Sequence, residues 1–186
     1  MLAARLKREG LAVTRVREPG GTPAGERIRE ILLDPGLEGI TPWTELFLFM
    51  ASRKQLIDEV IAPALLKGHA VVSDRFLLSS IVYQGVVGEV GPARVRRMAQ
   101  EAFGDWLPDL TLIVDLPAAK GLRRARRRSR RADRVEAKGL AFARKVRRGF
   151  LDARRARLAG RSAVICGAQP REEVAAAIWR EVRRVL

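Results

Sequence analysis

The 186-residue chain has one cysteine, one histidine and one tyrosine, and these scarcities exclude whole classes of chemistry. A lone thiol, Cys166, cannot close an intramolecular disulfide, and one Cys with one His argues against a zinc site. Cys166 ends the run Ala163-Val164-Ile165-Cys166, whose pattern predicts a buried strand and an inert core thiol, in keeping with a reducing cytoplasm. No apolar run approaches the roughly 18–20 residues that cross a bilayer. Met1 to Gly10 reads as an amphipathic helix with Leu2 and Leu6 on one face, without the apolar stretch of a secretory signal. The chain also contains no G-x-x-x-x-G-K-[ST] segment, the loop that wraps phosphates in backbone amides.

Lysine is scarce as well. Of 36 basic residues six are Lys and thirty are Arg, and the net charge is +15. Guanidinium binds phosphate bidentately, so an arginine excess fits phosphate recognition; it fits a coding bias on solvated faces equally well. Eight of the twelve residues from Arg123 to Arg134 are Arg. A basic nucleic-acid-binding protein is the rival reading of that cluster. It contains no aromatic residue on which bases could stack, and no nucleic-acid partner is expected.

What is present is a core: 47% of the residues are hydrophobic, enough for one globular domain over 1–186. Leu11 to Val16 predicts a strand ending at Pro19-Gly20-Gly21. Ala24 to Leu33 carries Ile28, Ile31 and Leu32 at helical spacing before the Asp34-Pro35-Gly36 stop. Thr41-Pro42 reads as an N-cap with Pro in the first turn, opening a helix through Phe47 and Phe49. Gln55 to Leu66 continues it, with a break or kink at Pro63. Ala70 to Ser73 predicts a buried strand and Val90 to Phe103 a helix. Leu110 to Leu116 is a further strand, Phe142 to Leu158 a helix, Ala163 to Cys166 a strand and Glu172 to Leu186 the last helix. Strands separated by helices imply an α/β fold, a parallel sheet with helices on both faces.

In such sheets ligands bind at the carboxyl ends of the strands. Two polar loops lie there. Arg17-Glu18-Pro19-Gly20-Gly21-Thr22 leaves the first strand. Asp74-Arg75-Phe76-Leu77-Leu78-Ser79-Ser80-Ile81-Val82-Tyr83-Gln84-Gly85 leaves the second, with a carboxylate, a guanidinium, two hydroxyls, a phenol and an amide within twelve residues. Phe49 and Arg53 stand four apart on one helix face. Taken alone, a core Phe beside a surface Arg is the default reading of such a pair.

These segments resemble the thymidylate kinase family. So do Leu46 to Arg53, Pro108 to Leu112, Asp133-Arg134-Val135-Glu136 and Val146 to Leu151, in family order along the whole chain. The resemblance implies a P-loop-kinase-like fold that transfers the γ-phosphate of ATP to dTMP with Mg2+, in a cytoplasmic homodimer. It places Asp74 at the metal and transfer centre, and Arg75 and Arg29 on the dTMP phosphate. Phe49 stacks on the base, and Arg53, Ser80 and Gln84 hydrogen-bond its polar edge. Tyr83 packs on the sugar against a 2′-hydroxyl, and Glu18 lines the pocket near the acceptor. Residues 123–136 resemble the lid over ATP: Arg126 and Arg128 as catalytic arginines, Arg123, Arg127, Arg130 and Arg134 as ATP contacts. Val135 departs from the larger residue frequent there.

Members of this family open with a central strand and a phosphate loop. Leu2 to Gly10 resembles the later part of the helix that follows them. The expectation is therefore a chain lacking that strand and loop, with two half-sheets, and weak or no phosphorylation by these 186 residues. A nucleotide-binding remnant without catalysis is the alternative.

Overall fold

A computed structural model describes residues 1–186 apart from Asp105, 129–133, Arg157 and Ala159, and apart from the side chains of Arg126, Arg128 and Glu136. The elements run α1 (Leu2–Arg8), β1 (Val13–Arg17), α2 (Pro23–Leu33), α3 (Pro42–Leu56), α4 (Ala62–Leu66), β2 (Ala70–Asp74), α5 (Leu77–Ser80), α6 (Pro92–Phe103), β3 (Thr111–Asp115), α7 (Ala118–Arg128), α8 (Gly139–Arg155), β4 (Ser162–Cys166) and α9 (Arg171–Val182). Wide π turns at Ile57–Ile61 and Ile81–Val87 extend α3 and α5.

Local chemistry explains the boundaries. Thr22 and Thr41 cap α2 and α3, each hydroxyl accepting from an amide three residues on, at 3.0 and 3.2 Å, with Pro next in sequence. The break expected at Pro63 is the π turn just before it. Pro has no N–H to give and its ring crowds the carbonyl four residues back, so the wider turn relieves both.

The strands form two parallel ladders rather than one continuous sheet. β1 pairs with β2, Val13 opposite Ala70 through Arg17 opposite Asp74, and β3 pairs with β4, Thr111 opposite Ser162 through Asp115 opposite Cys166. Helices join the halves. Leu46, Leu56, Ile57, Ile81, Val95 and Phe103 form one buried cluster against the first ladder; Leu78, Val82, Ile113, Val146 and Ala153 form another against the second. The π turn after α5 thus gives Ile81 to one core and Val82 to the other. Gly149 of α8 admits that turn: a Cβ there would stand 2.9 Å from Val82 Cγ1.

Two expectations change. Cys166 is exposed, not buried: Ile165 is the buried residue of β4, while Val164 and Cys166 share its opposite face. Part of the arginine cluster is also helical. α7 turns Leu122 and Ala125 inward, a short stripe that the surrounding arginines hide from a periodicity reading. No helix among the described residues is long and apolar enough to cross a membrane.

Candidate functional site

The first loop is pinned at several points. Glu18 N–H donates to the Asp74 carbonyl at 3.0 Å, carrying the β1–β2 ladder one residue further. The chain then reverses through Gly20 and Gly21, at φ 124° and 86°. Both angles favour glycine, and a Cβ on Gly21 would meet Leu56 Cδ1 at 2.7 Å. Gly20 N–H donates to Ser52 Oγ on α3 at 3.1 Å. Glu26 Oε1 accepts from Gly21 N–H at 2.6 Å and from Arg17 at 2.9 Å; the amide, then the guanidinium, hold its carboxyl below the ordinary value. Arg29 Nη1 donates to the Pro19 carbonyl at 2.9 Å.

The second loop leaves β2 at Asp74, which is exposed. Arg75 follows at φ 72°, strained for a non-glycine residue, and Ser73 Oγ donates to its carbonyl at 2.6 Å. This turn sets the Arg75 guanidinium 5.4 Å from the centre of the Tyr83 ring. Tyr83 in turn packs against Phe142 and Phe150 of α8, at 6.2 and 6.0 Å between ring centres.

Behind these loops lies a buried polar network. Arg53, 1% exposed, donates through Nε to both Glu18 carboxylate oxygens at 3.0 and 2.9 Å, and through Nη2 to Oε2 at 2.5 Å. The same Nη2 donates to Ser80 Oγ at 3.1 Å. Phe76 flanks the guanidinium at 5.2 Å and Phe103 at 6.0 Å. Burial pushes the Glu18 carboxyl up, with the Arg53 charge and hydrogen bonds pulling the other way. One helical turn past Ser80, Gln84 Nε2 donates to Glu45 Oε2 at 2.8 Å, and Glu45 Oε1 accepts from Arg134. That bond fixes the Gln84 amide, since a carboxylate oxygen only accepts. Gln84 Oε1 is left buried with no hydrogen-bond partner among the described residues.

Both loops open on one cleft of about 840 Å³. Glu18, Arg29, Phe49, Asp74, Arg75, Ser80, Tyr83, Gln84 and Arg134 line it, so most residues singled out from sequence converge there. Arg53 does not line it; it stands behind the wall and acts through Glu18 and Ser80, which do. Arg123 and Arg127 are exposed and also absent from the lining. Arg130 and the side chains of Arg126 and Arg128 lie outside the described residues.

The second ladder supplies a wall that the sequence reading missed. Asp115 ends β3 and takes a two-pronged bond from Arg147 of α8, Nε to Oδ1 at 2.7 Å and Nη2 to Oδ2 at 2.8 Å. That bond holds the Asp115 carboxyl below the ordinary value. Its place at the carboxyl end of a strand was the available signal. Glu45 gave none, because its partners are 39 and 89 residues away in sequence.

A family model for thymidylate kinase matches residues 1–178. The chain belongs to the thymidylate kinase family. It is similar to the thymidylate kinase of Deinococcus radiodurans, 45% identical over 181 residues, covering 97% of this chain and 86% of that protein. It is similar also to those of Chlamydia caviae, 43% identical with 93% and 84% covered, and Pseudomonas fluorescens, 50% identical with 81% and 71% covered. In this thymidylate kinase family member the cleft joins arginines 29, 75 and 147 to an inner polar wall. Arg29 and Arg75 offer cations to an anion at the mouth, where Asp74 and the Asp115 paired with Arg147 also lie.

Proposed function

We propose that this chain binds dTMP in the cleft and transfers to it the γ-phosphate of ATP, giving dTDP. The observation that carries the acceptor half is the orphaned Gln84 Oε1, a buried acceptor in need of a donor. Beside it, Ser80 Oγ already accepts from Arg53, which leaves its hydroxyl hydrogen to donate into the cleft. An acceptor and a donor one helical turn apart match the N3–H and C4=O of thymine. Cytosine carries the opposite polarity in that register. Phe49 stacks on the ring, Tyr83 abuts the sugar, and Arg75 with Arg29 takes the phosphate.

Two polyanions must meet for transfer, so the work of the protein is positioning and charge neutralisation. Arg75 and Arg29 orient the acceptor phosphate. By resemblance, Arg123, Arg126, Arg127, Arg128 and Arg130 are the candidates to neutralise the ATP phosphates. Asp74 is the residue to hold Mg2+: its carboxylate is exposed at a strand end, and no group of three His, Cys, Asp or Glu gathers among the described residues. One carboxylate plus substrate phosphates is a donor set that suits magnesium. When bound, the ion would supply charge neutralisation.

Exposed Trp43 and Phe47, 5.9 Å apart on α3, with exposed Val86 after α5, form the face for a homodimer. Calorimetric titration tests the acceptor half: dTMP binds, and dCMP binds far more weakly. A chain that binds neither, or both alike, refutes it. Binding of dTMP without transfer is the rival reading. Formation of dTDP from dTMP and ATP decides between them.

A further inference from the structure

Gln84 reads the base only if its oxygen faces the cleft, and an amide can turn over. What prevents this is Glu45, whose carboxylate accepts from Gln84 Nε2 at 2.8 Å and offers nothing to Oε1. Glu45 in turn is held by Arg134, and Arg134 Nε donates to the Leu32 carbonyl at the end of α2, at 3.1 Å. Three elements far apart in sequence therefore converge behind one amide. Gln84 is 2% and Glu45 9% exposed, so water does not replace these bonds cheaply.

We infer that Glu45 is a specificity-determining positioning residue: held by Arg134, it locks the Gln84 amide with Nε2 on the carboxylate and Oε1 as the atom left to meet the base, so that a ring N–H is accepted and a ring acceptor refused. This rests on the dTMP reading of the cleft. A consequence is that the choice of base depends on Arg134, which sits at the end of the arginine-rich stretch rather than among the groups that line the base. Arg53 does the equivalent for Ser80 with the opposite sign: a cation behind the hydroxyl fixes it as a donor, an anion behind the amide fixes it as an acceptor.

The test is calorimetric titration of the full 186-residue chain with dTMP and with dCMP, each variant first checked for folding by circular dichroism. The wild type should prefer dTMP by about 100-fold or more, the scale set by a buried polar group left unpaired against the wrong base. Glu45→Gln gives Gln84 a partner that both donates and accepts, so the amide is free to turn. The preference should narrow by roughly 10- to 100-fold, with dCMP binding gained as dTMP binding is lost. A merely structural role would weaken both nucleotides together and leave the ratio unmoved. Arg134→Gln keeps Glu45 and Gln84 intact and should narrow the ratio by less, about 3- to 10-fold; it carries the test should Glu45→Gln not fold. In a Gln84→Leu background, Glu45→Gln should leave the ratio where it was. A wild-type preference that survives unchanged in whichever of the two variants folds overturns the lock and leaves the dTMP reading standing. A wild type that does not distinguish dTMP from dCMP overturns both.

Discussion

The two halves of the molecule each end a ladder in the same device, a carboxylate gripped by two guanidinium nitrogens, and they put it in opposite surroundings. Glu18 and Arg53 are buried to 2% and 1% of their side-chain surface; Asp115 and Arg147 keep 21% and 41%. Burial raises the Glu18 carboxyl, whereas the arginine bond dominates at Asp115 and lowers it. Environment therefore decides what an identical pair does. The buried pair is a fixed wall that shapes Ser80. The half-exposed pair is a weak, titratable tie at the mouth of the cleft.

Breaking the buried pair from one side should have the largest effect. Arg53→Met leaves Glu18 buried without its counter-charge, and a loss of about 3–5 kcal/mol in denaturant unfolding is expected. Glu18→Gln with Arg53→Met should recover much of it; a double variant no better than the single would show that packing, not charge, holds that wall.

Gln84→Leu tests binding on the same side of the cleft. It should cost dTMP affinity by about 1–3 kcal/mol, seen as a rise in Kd of about 5- to 150-fold. Melting should fall as well, because Leu also takes away the Nε2–H that the buried Glu45 carboxylate accepts. A folded Gln84→Leu chain that binds dTMP as the wild type does would mean that this amide serves the core alone.

Arg147→Leu should have only a small effect on stability, as expected for a half-exposed pair. Its pH signature has a definite sign. Asp115 is lowered from 3.8, so the stability it contributes is complete above about that pH and is lost as pH falls through the lower folded value. Unfolding free energies measured from pH 7 down to 2 should therefore fall less steeply in the variant. Glu18 has the reverse sense: it is raised above 4.5, so its contribution declines as pH rises through the folded value. Parallel acid slopes in wild type and Arg147→Leu would refute the contrast. The smallest effect on the fold should come from Phe47→Glu, which lies outside both walls; it tests the proposed homodimer face, and a wild type of one chain mass in light scattering, or a variant still dimeric, refutes that face.

The elements and the two loops were legible in the sequence because they depend on neighbours: threonine caps, Pro-Gly turns, apolar periods. The groups of the cleft were legible because strand ends collect them. Depth was not. The spacing of Phe49 and Arg53 shows that they share a helix face, yet it does not say that Phe49 reaches the cleft while Arg53 stops behind it. Cys166 shows the same gap, since alternation fixes which residues share a face and leaves open which face is covered. Glu45 is the extreme case, for its chemistry is set wholly by residues from other elements.

The approach of α8 to the turn after α5 has a consequence for tolerance. Gly149 leaves no room for a side chain, since a Cβ there would stand 2.9 Å from Val82 Cγ1. Any larger residue at that point would push Val82 out of the second cluster and disturb the turn that carries Tyr83 and Gln84 to the cleft.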